Sequence, residues 1–316
     1  PPLLTGTTPM PKTTKYSVCT ICDIGCQVRT EAEDGVVKRV VAHDHPVLAK
    51  NICFKGVAAP SIHNHPDRLR KPLKRVGERG ADQWEEISYE QAMDEIAEKL
   101  KAVVNKHGPE AFAVSTSGWN TQTTHATDRR FMNLLGSPNW ISGVSLCAGN
   151  TAAVNKLTYG WFPMGDFTKT NCIVLFGHNP RKHSWTPVFN AIKAARARGA
   201  KLIVLDPRVS DQAEDADLHL RLHAGTDAAM CLGWLKVIFD EGLYDKDFVD
   251  RWCAGFEALK ARVDEYPLDR VEQITGVDRE LIAQAARMYA TADGAVIPWT
   301  PITDMQISST SAIRLH

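Results

Sequence analysis

The sequence predicts an α/β protein, a doubly wound parallel sheet preceded by a small cysteine-bearing module. Three observations carry this. Two continuous apolar runs, Cys172–Gly177 and Lys201–Asp206, read as strands buried on both faces. Helical patterns alternate with them, the rhythm of a parallel sheet whose crossovers are helices. Near the start, Cys19, Cys22, Cys26 and Cys53 stand outside that rhythm.

In chain order, Pro1–Lys15 is rich in Pro and Thr, has neither an apolar leader core nor a twin-arginine pair, and reads as a loose arm. Residues 16–66 form the cysteine module. In C-x2-C-x3-C spacing three thiolates can wrap one side of a 4Fe–4S cube, and the distant Cys53 closes the site. Zinc or a disulfide pair is the alternative, but structural zinc sites usually bring two paired C-x2-C knuckles and Cys53 arrives alone. Asp34-Gly35 marks a hairpin turn into the β-rich run Val36–Val41. His43-Asp44-His45-Pro46 and His63-Asn64-His65-Pro66 read as loop histidines, since no further ligand accompanies either pair.

Residues 67–142 read as the first segment of an α/β domain. A basic connector, 68–80, leads to a helix that opens with a Ser88/Gln91 capping box, carries Ala92, Ile96, Leu100 and Val103 on one stripe, and stops at Gly108. A small strand over Ala111–Ser115 and a helix over Thr121–Leu135 follow. Residues 143–316 read as a second α/β domain. Besides the two buried strands it contains a helix over Val188–Arg198, a third strand at Leu218–Leu222 and a helix at Ala228–Phe239. Helices near 245–253, 256–265 and 279–290 lead to a last strand, Ala295–Trp299.

Doubly wound sheets bind ligands at the carboxyl ends of their strands. Here those ends read Gly177-His178-Asn179-Pro180, Asp206-Pro207-Arg208 and Gly225-Thr226-Asp227. A small residue, an acid and an arginine in series suit a nucleotide, with the acid on a ribose hydroxyl or guanine edge and the guanidinium on phosphate. Each motif alone is also an ordinary strand exit with a surface ion pair.

Lys plus Arg and Asp plus Glu number 37 each among 316 residues, so composition offers neither a nucleic-acid groove nor a face for an anionic membrane. No apolar run approaches a membrane span. Eight cysteines are too few for a disulfide scaffold. The four outside the module, Cys147, Cys172, Cys231 and Cys253, read as buried free thiols of a reducing compartment. A cytoplasmic, monomeric enzyme acting on a small molecule is the expectation.

The residues also resemble a known family. The cysteine module feeding a domain with Gly-x-Asn-Pro, Asp-Pro-Arg and Gly-Thr-Asp is similar to the molybdopterin oxidoreductases of the dimethyl-sulfoxide-reductase type. Within them it resembles a tungsten-dependent branch that hydrates acetylene. The resemblance runs from about Cys19 to Arg314 and includes Arg129–Trp140, Cys147-x-Gly149-Asn150-Thr151-Ala152, Ile297-Pro298-Trp299 and Thr303-Asp304-Met305. It implies a 4Fe–4S cluster on Cys19, Cys22, Cys26 and Cys53. It further implies tungsten or molybdenum on two molybdopterin guanine dinucleotides, with Cys147 as the protein's thiolate on the metal. Gly149 and Asn150 would lie against that group. Gly177, Asn179, Asp206, Arg208, Gly225, Thr226 and Asp227 would hold one dinucleotide tail, and Lys55 would lie between cluster and pterin.

The resemblance implies a small apolar pocket lined by Ile24, Trp119, Ala148, Trp185 and Trp299, and a catalytic role for Asp23 together with Lys55. A carboxyl beside an anionic cluster is disfavoured as a second negative charge, so Asp23 would stay protonated and give a proton to the adding carbon or polarise water. The plainer reading has Asp23 capping backbone amides of the cluster loop. The pocket departs from the aliphatic ring of that branch at Trp119 and Ala148. A redox enzyme passing electrons from a small substrate to the cluster is therefore the second expectation, and an isolated iron–sulfur electron-transfer module the third. Family members also continue well past His316, so the C-terminal half of the family fold is expected to be absent.

Overall fold

The structure, a computed structural model, describes residues 12–22, 24–44, 51–116, 122–161, 163–182 and 186–316. It divides into two compact units, 1–143 and 144–316.

Unit 1 opens with an antiparallel meander of β1 (Thr13–Val18), β2 (Gln27–Glu33) and β3 (Val36–Ala42). β1 begins inside the stretch expected to be a loose arm, because Thr13–Val18 pairs residue for residue with Ala32–Gln27. Its side chains are all exposed, so no apolar alternation announces it. The expected turn is present: Asp34 and Gly35 both take positive φ, 51° and 76°, the backbone of a tight hairpin whose twist matches its strands. Helices α1 (Phe54–Val57) and α2 (Ala59–His63) follow. The connector then folds into a second hairpin, β4 (Leu73–Arg75) with β5 (Trp84–Glu86).

The 19-residue α3 (Tyr89–His107) starts where Ser88 Oγ accepts the Gln91 N–H at 3.0 Å. The capping box is half made, since the Gln91 side chain donates onward to Glu95. A 3₁₀ turn over Pro109–Ala111 replaces the first part of the expected strand. That strand is β6 (Val114–Thr116), joined through α4 (Gln122–Leu135) to the parallel β7 (Trp140–Ser142).

Unit 2 begins with α5 (Val144–Cys147) and α6 (Gly149–Tyr159), then β8 (Cys172–Phe176), α7 (Thr186–Ala197), β9 (Lys201–Leu205), α8 (Asp211–Glu214) and β10 (Leu218–Leu220). Six helices follow, interrupted once by a strand: α9 (Asp227–Asp240), α10 (Lys246–Trp252), α11 (Phe256–Asp264), α12 (Leu268–Thr275), α13 (Arg279–Ala290), then β11 (Ala295–Val296), then α14 (Ser309–Leu315). The strands form one parallel sheet in the order β10-β9-β8-β11. The last strand is shorter than expected; Pro298 has no N–H to give a ladder.

Both faces of this sheet are covered. Cys172, Val174 and Phe176 of β8 and Ile203 and Leu205 of β9 pack on one side with Met230 and Trp234 of α9 and Ile282 of α13. The alternating residues Ile173, Leu175, Leu202 and Val204 pack on the other with Ile192 and Ala195 of α7 and Ala213 of α8. Each large apolar side chain so buried contributes about 1.5–3 kcal/mol, which makes β8 and β9 the stability centre of the unit. Of the thiols expected in the core, Cys172 and Cys231 are buried, Cys147 is half-buried, and Cys253 is exposed just past the end of α10. Among the described residues no helix is long and apolar enough to cross a membrane.

Candidate cluster and cofactor sites

In unit 1 the β1–β2 connection carries three of the four cysteines expected to hold the cluster, Cys19, Cys22 and Cys26. Cys19 N–H donates to the Cys26 carbonyl at 2.8 Å, closing the loop directly above the last strand pair. Cys53 immediately precedes α1, its carbonyl accepting from Val57 N–H. Gly56 explains how α1 reaches the loop. A Cβ there would lie 2.8 Å from the Ile52 side chain and 3.4 Å from Cys19 Sγ. Without one, the helix carrying Cys53 packs directly against the first thiol.

The four thiols share one neighbourhood. Burial pushes the Cys26 thiol up, and Cys22, Cys19 and Cys53 each add to the rise, as like charges gathered in one place must. Among the described residues no three His, Cys, Asp or Glu side chains converge tightly enough for a single metal ion. Four thiols brought together from this loop and the start of α1 suit the four corners of a 4Fe–4S cube. Lys55 is half-buried on α1, and Ile24 half-buried in the cluster loop. Asp23, Trp119 and Trp185 lie outside the described residues. His63 and His65 are exposed.

In unit 2 the three strand-end motifs meet at one edge because β8, β9 and β10 are parallel neighbours. Gly177 has φ 52° and Asn179 is buried. A Cβ on Gly177 would meet Ile302 at 2.8 Å, so glycine is required there twice over. Asp206 is buried and accepts the Arg208 N–H at 2.8 Å, while the Arg208 guanidinium is exposed, its Nε 3.8 Å from the same carboxylate oxygen. Gly225 turns with φ 84°, Thr226 donates its hydroxyl to the His223 carbonyl, and Asp227 opens α9. Burial pushes the Asp227 carboxyl up, against the pull of a hydrogen bond to Gln306. Buried acids, an outward guanidinium and a helix N-terminus at one sheet edge suit a nucleotide tail.

Cys147 ends α5, and α6 starts two residues later, so the thiol stands at a break between helices; Ala148, within that break, is buried. The chain runs from β8 outward to β10 and returns to β11 on the other side of β8. The resulting switch point holds a cavity of about 170 Å³, lined in part by Thr151, Phe176, Ile297, Trp299, Thr303 and His316.

Behind its wall is a buried network that sequence reasoning did not assign. The Asp304 carboxylate accepts the Thr151 N–H at 2.9 Å and the Thr151 hydroxyl at 2.5 Å. Trp299 Nε1 donates to Asp304 at 3.2 Å and to the Thr151 hydroxyl at 3.1 Å. Asn150 donates to Ser309 at 2.6 Å. Asp304 and Thr151 stood in the resemblance as motif residues only; no local signal says that 151 and 304 meet.

Comparison with known proteins matches two domains over the residues that carry these candidate sites. The Fe4S4 domain of molybdopterin oxidoreductases matches residues 12–65, and the molybdopterin oxidoreductase domain matches residues 68–304. Acetylene hydratase of Syntrophotalea acetylenica is 51% identical over 95% of this chain and 42% of its own length. Formate dehydrogenase H of Escherichia coli is 32% identical over 90% of this chain and 41% of its length. The molybdopterin-containing subunit of a thiosulfate reductase of Salmonella typhimurium is 31% identical over 89% and 37%. The solved acetylene hydratase from Pelobacter acetylenicus superimposes with a TM-score of 0.85 at 51% identity, over 95% of this chain and 42% of that one. The chain thus spans about two fifths of the length of these relatives. With the four-thiol loop in the first matched domain and the strand-end motifs in the second, the chain belongs to the molybdopterin oxidoreductase family.

Proposed function

We propose that this protein hydrates acetylene, or a similarly small alkyne, to an aldehyde without net electron transfer. The likeness to acetylene hydratase over nearly the whole chain carries this reading. When bound, the family's group, tungsten or molybdenum on two molybdopterin guanine dinucleotides, supplies a Lewis-acidic metal. Cys147 is the thiolate this chain offers to it, with Gly149 and Asn150 beside it in the first turn of α6. The edge formed by Gly177, Asn179, Asp206, Arg208 and Gly225–Asp227 holds one dinucleotide tail. Lys55 sets a positive charge beside the thiolate-rich cluster loop.

Asp23, adjacent in sequence to the cluster ligand Cys22, carries the proton. It gives that proton to one alkyne carbon while the oxygen of water adds to the other, and it recovers a proton from that water. The sum is water plus alkyne to enol, which tautomerises to the aldehyde. Trp299, with its indole N–H engaged, gives the pocket an apolar wall suited to a two- or three-carbon hydrocarbon. Buried thiols such as Cys231 suit a reducing, cytoplasmic and anaerobic setting.

The test is an anaerobic assay of the natural full-length protein, loaded with tungstate, for acetylene loss without an electron acceptor. Acetaldehyde should form, and Asp23→Ala should lose at least about a hundredfold in rate, the usual contribution of a placed general acid. Turnover that requires a redox dye would instead favour the chemistry of the formate dehydrogenase and thiosulfate reductase relatives.

A further inference from the structure

We infer that Asp304 is a positioning residue that locks the cavity wall at Trp299 to the helix that follows Cys147. The inference deepens the proposed function and, where it concerns substrate size, rests on it. Helix α6 runs for 11 residues from Gly149, and its N-cap, Ala148, has no side chain able to bond the free N–H groups of the first turn. The missing cap comes from far along the chain: Asp304 is 5% exposed and takes both the N–H and the hydroxyl of Thr151. A carboxylate at a helix N-terminus is favoured by the helix dipole, and its burial is tolerated because its lone pairs are occupied.

A cap alone would need only the Thr151 N–H. This carboxylate also receives the indole N–H of Trp299, which is shared with the Thr151 hydroxyl. Three side chains therefore close a ring of hydrogen bonds. One member lies in the first turn after Cys147, and another, Trp299, lines the cavity with Thr151 itself. The ring fixes the plane of the indole relative to α6. With the polar atom of Trp299 turned into the ring, the indole meets the cavity as hydrocarbon. Loosening it would leave the wall apolar but no longer held at one distance, and a pocket for so small a molecule discriminates by that distance.

The experiment uses the natural full-length protein labelled with 5-fluorotryptophan, in wild type, Asp304→Asn and the milder Thr151→Val, which keeps the backbone N–H bond. The fluorine signal of Trp299 is the one missing from Trp299→Phe. In both ring variants that signal should shift or broaden while the others stay, at unchanged cofactor content. In the loaded enzymes the ratio of kcat/KM for acetylene over propyne should fall by about tenfold, the scale on which an apolar pocket discriminates one methyl group. Trp299→Phe and Asp304→Asn combined should lose little more than either alone, since they break one unit. An unmoved Trp299 signal in Thr151→Val and Asp304→Asn, or strictly additive losses in the pair, would overturn the inference. If the wild type hydrates no alkyne, the proposed function fails by itself, and the fluorine signal still decides whether Asp304 positions Trp299.

Discussion

The ring of His316 lies 4.1 Å from that of Phe176 at the cavity floor, and burial lowers its pKa from the ordinary 6.5 to about 4. Folded protein therefore holds His316 neutral at a pH where unfolded chain has already taken up a proton. Stability is fully present above about pH 6.5 and is lost as pH falls through the window down to about 4, by roughly 3 kcal/mol for this one group. His316→Phe keeps the ring and removes the proton. Its melting temperature should change less than that of wild type between pH 6.5 and 4.5, and parallel curves would show that His316 is not the cause. The Asp227 carboxyl is shifted by the same physics in the opposite sense, since burial penalises the charged form of either.

Among the longer helices, α3 leans on its own ends. None of its residues is buried, and Ile96 on its apolar stripe is 59% exposed, so packing supplies little and the cap matters. Ser88→Ala should cost about 1 kcal/mol of local stability, read as faster amide exchange over residues 89–93, and Ser88→Asp should restore it. This helix was legible in sequence because its signals are local, as were β8 and β9, whose unbroken apolar runs admit little else. Elements held from a distance were not legible. β1 shows only exposed side chains and exists because β2 pairs with it. α6 has no cap in its own sequence, its cap lying at Asp304. α12 follows Pro267 within a crowded run of short helices and has few residues in which to show a period. The candidate site divides the same way. Cysteine spacing and strand-end motifs are local patterns, whereas the ring of Thr151, Trp299 and Asp304 exists only in the folded chain.

For the molecule as a whole, the two units rest on different sources of stability. Unit 2 has two apolar cores around one sheet. In unit 1, among the described residues, the buried apolar side chains are Val28, Val40 and Met132, too few at about 1.5–3 kcal/mol each to offset the ordering of so many residues. A cluster held by the thiol loop, as proposed, would add to the unit's stability, because ligand binding that requires the folded loop is folding free energy. Removing iron from the holoprotein with a chelator should speed amide exchange in β1–β3 by at least about tenfold and leave β8 and β9 unchanged. Equal loss of protection in both would contradict a division of this kind.

The tie between Thr151 and Asp304 spans 153 positions, and that separation has a consequence in time. A ribosome adding about 5–20 residues per second finishes the thiol-bearing break at Cys147 some 8 to 30 seconds before it makes the carboxylate that fastens it. Within that interval, once residue 220 is made and until residue 295 is, β8, β9 and β10 can already pair while β11 and the wall at Trp299 do not yet exist. In that window the outer side of β8 has no partner strand in the nascent sheet, and it gains one only when β11 is made.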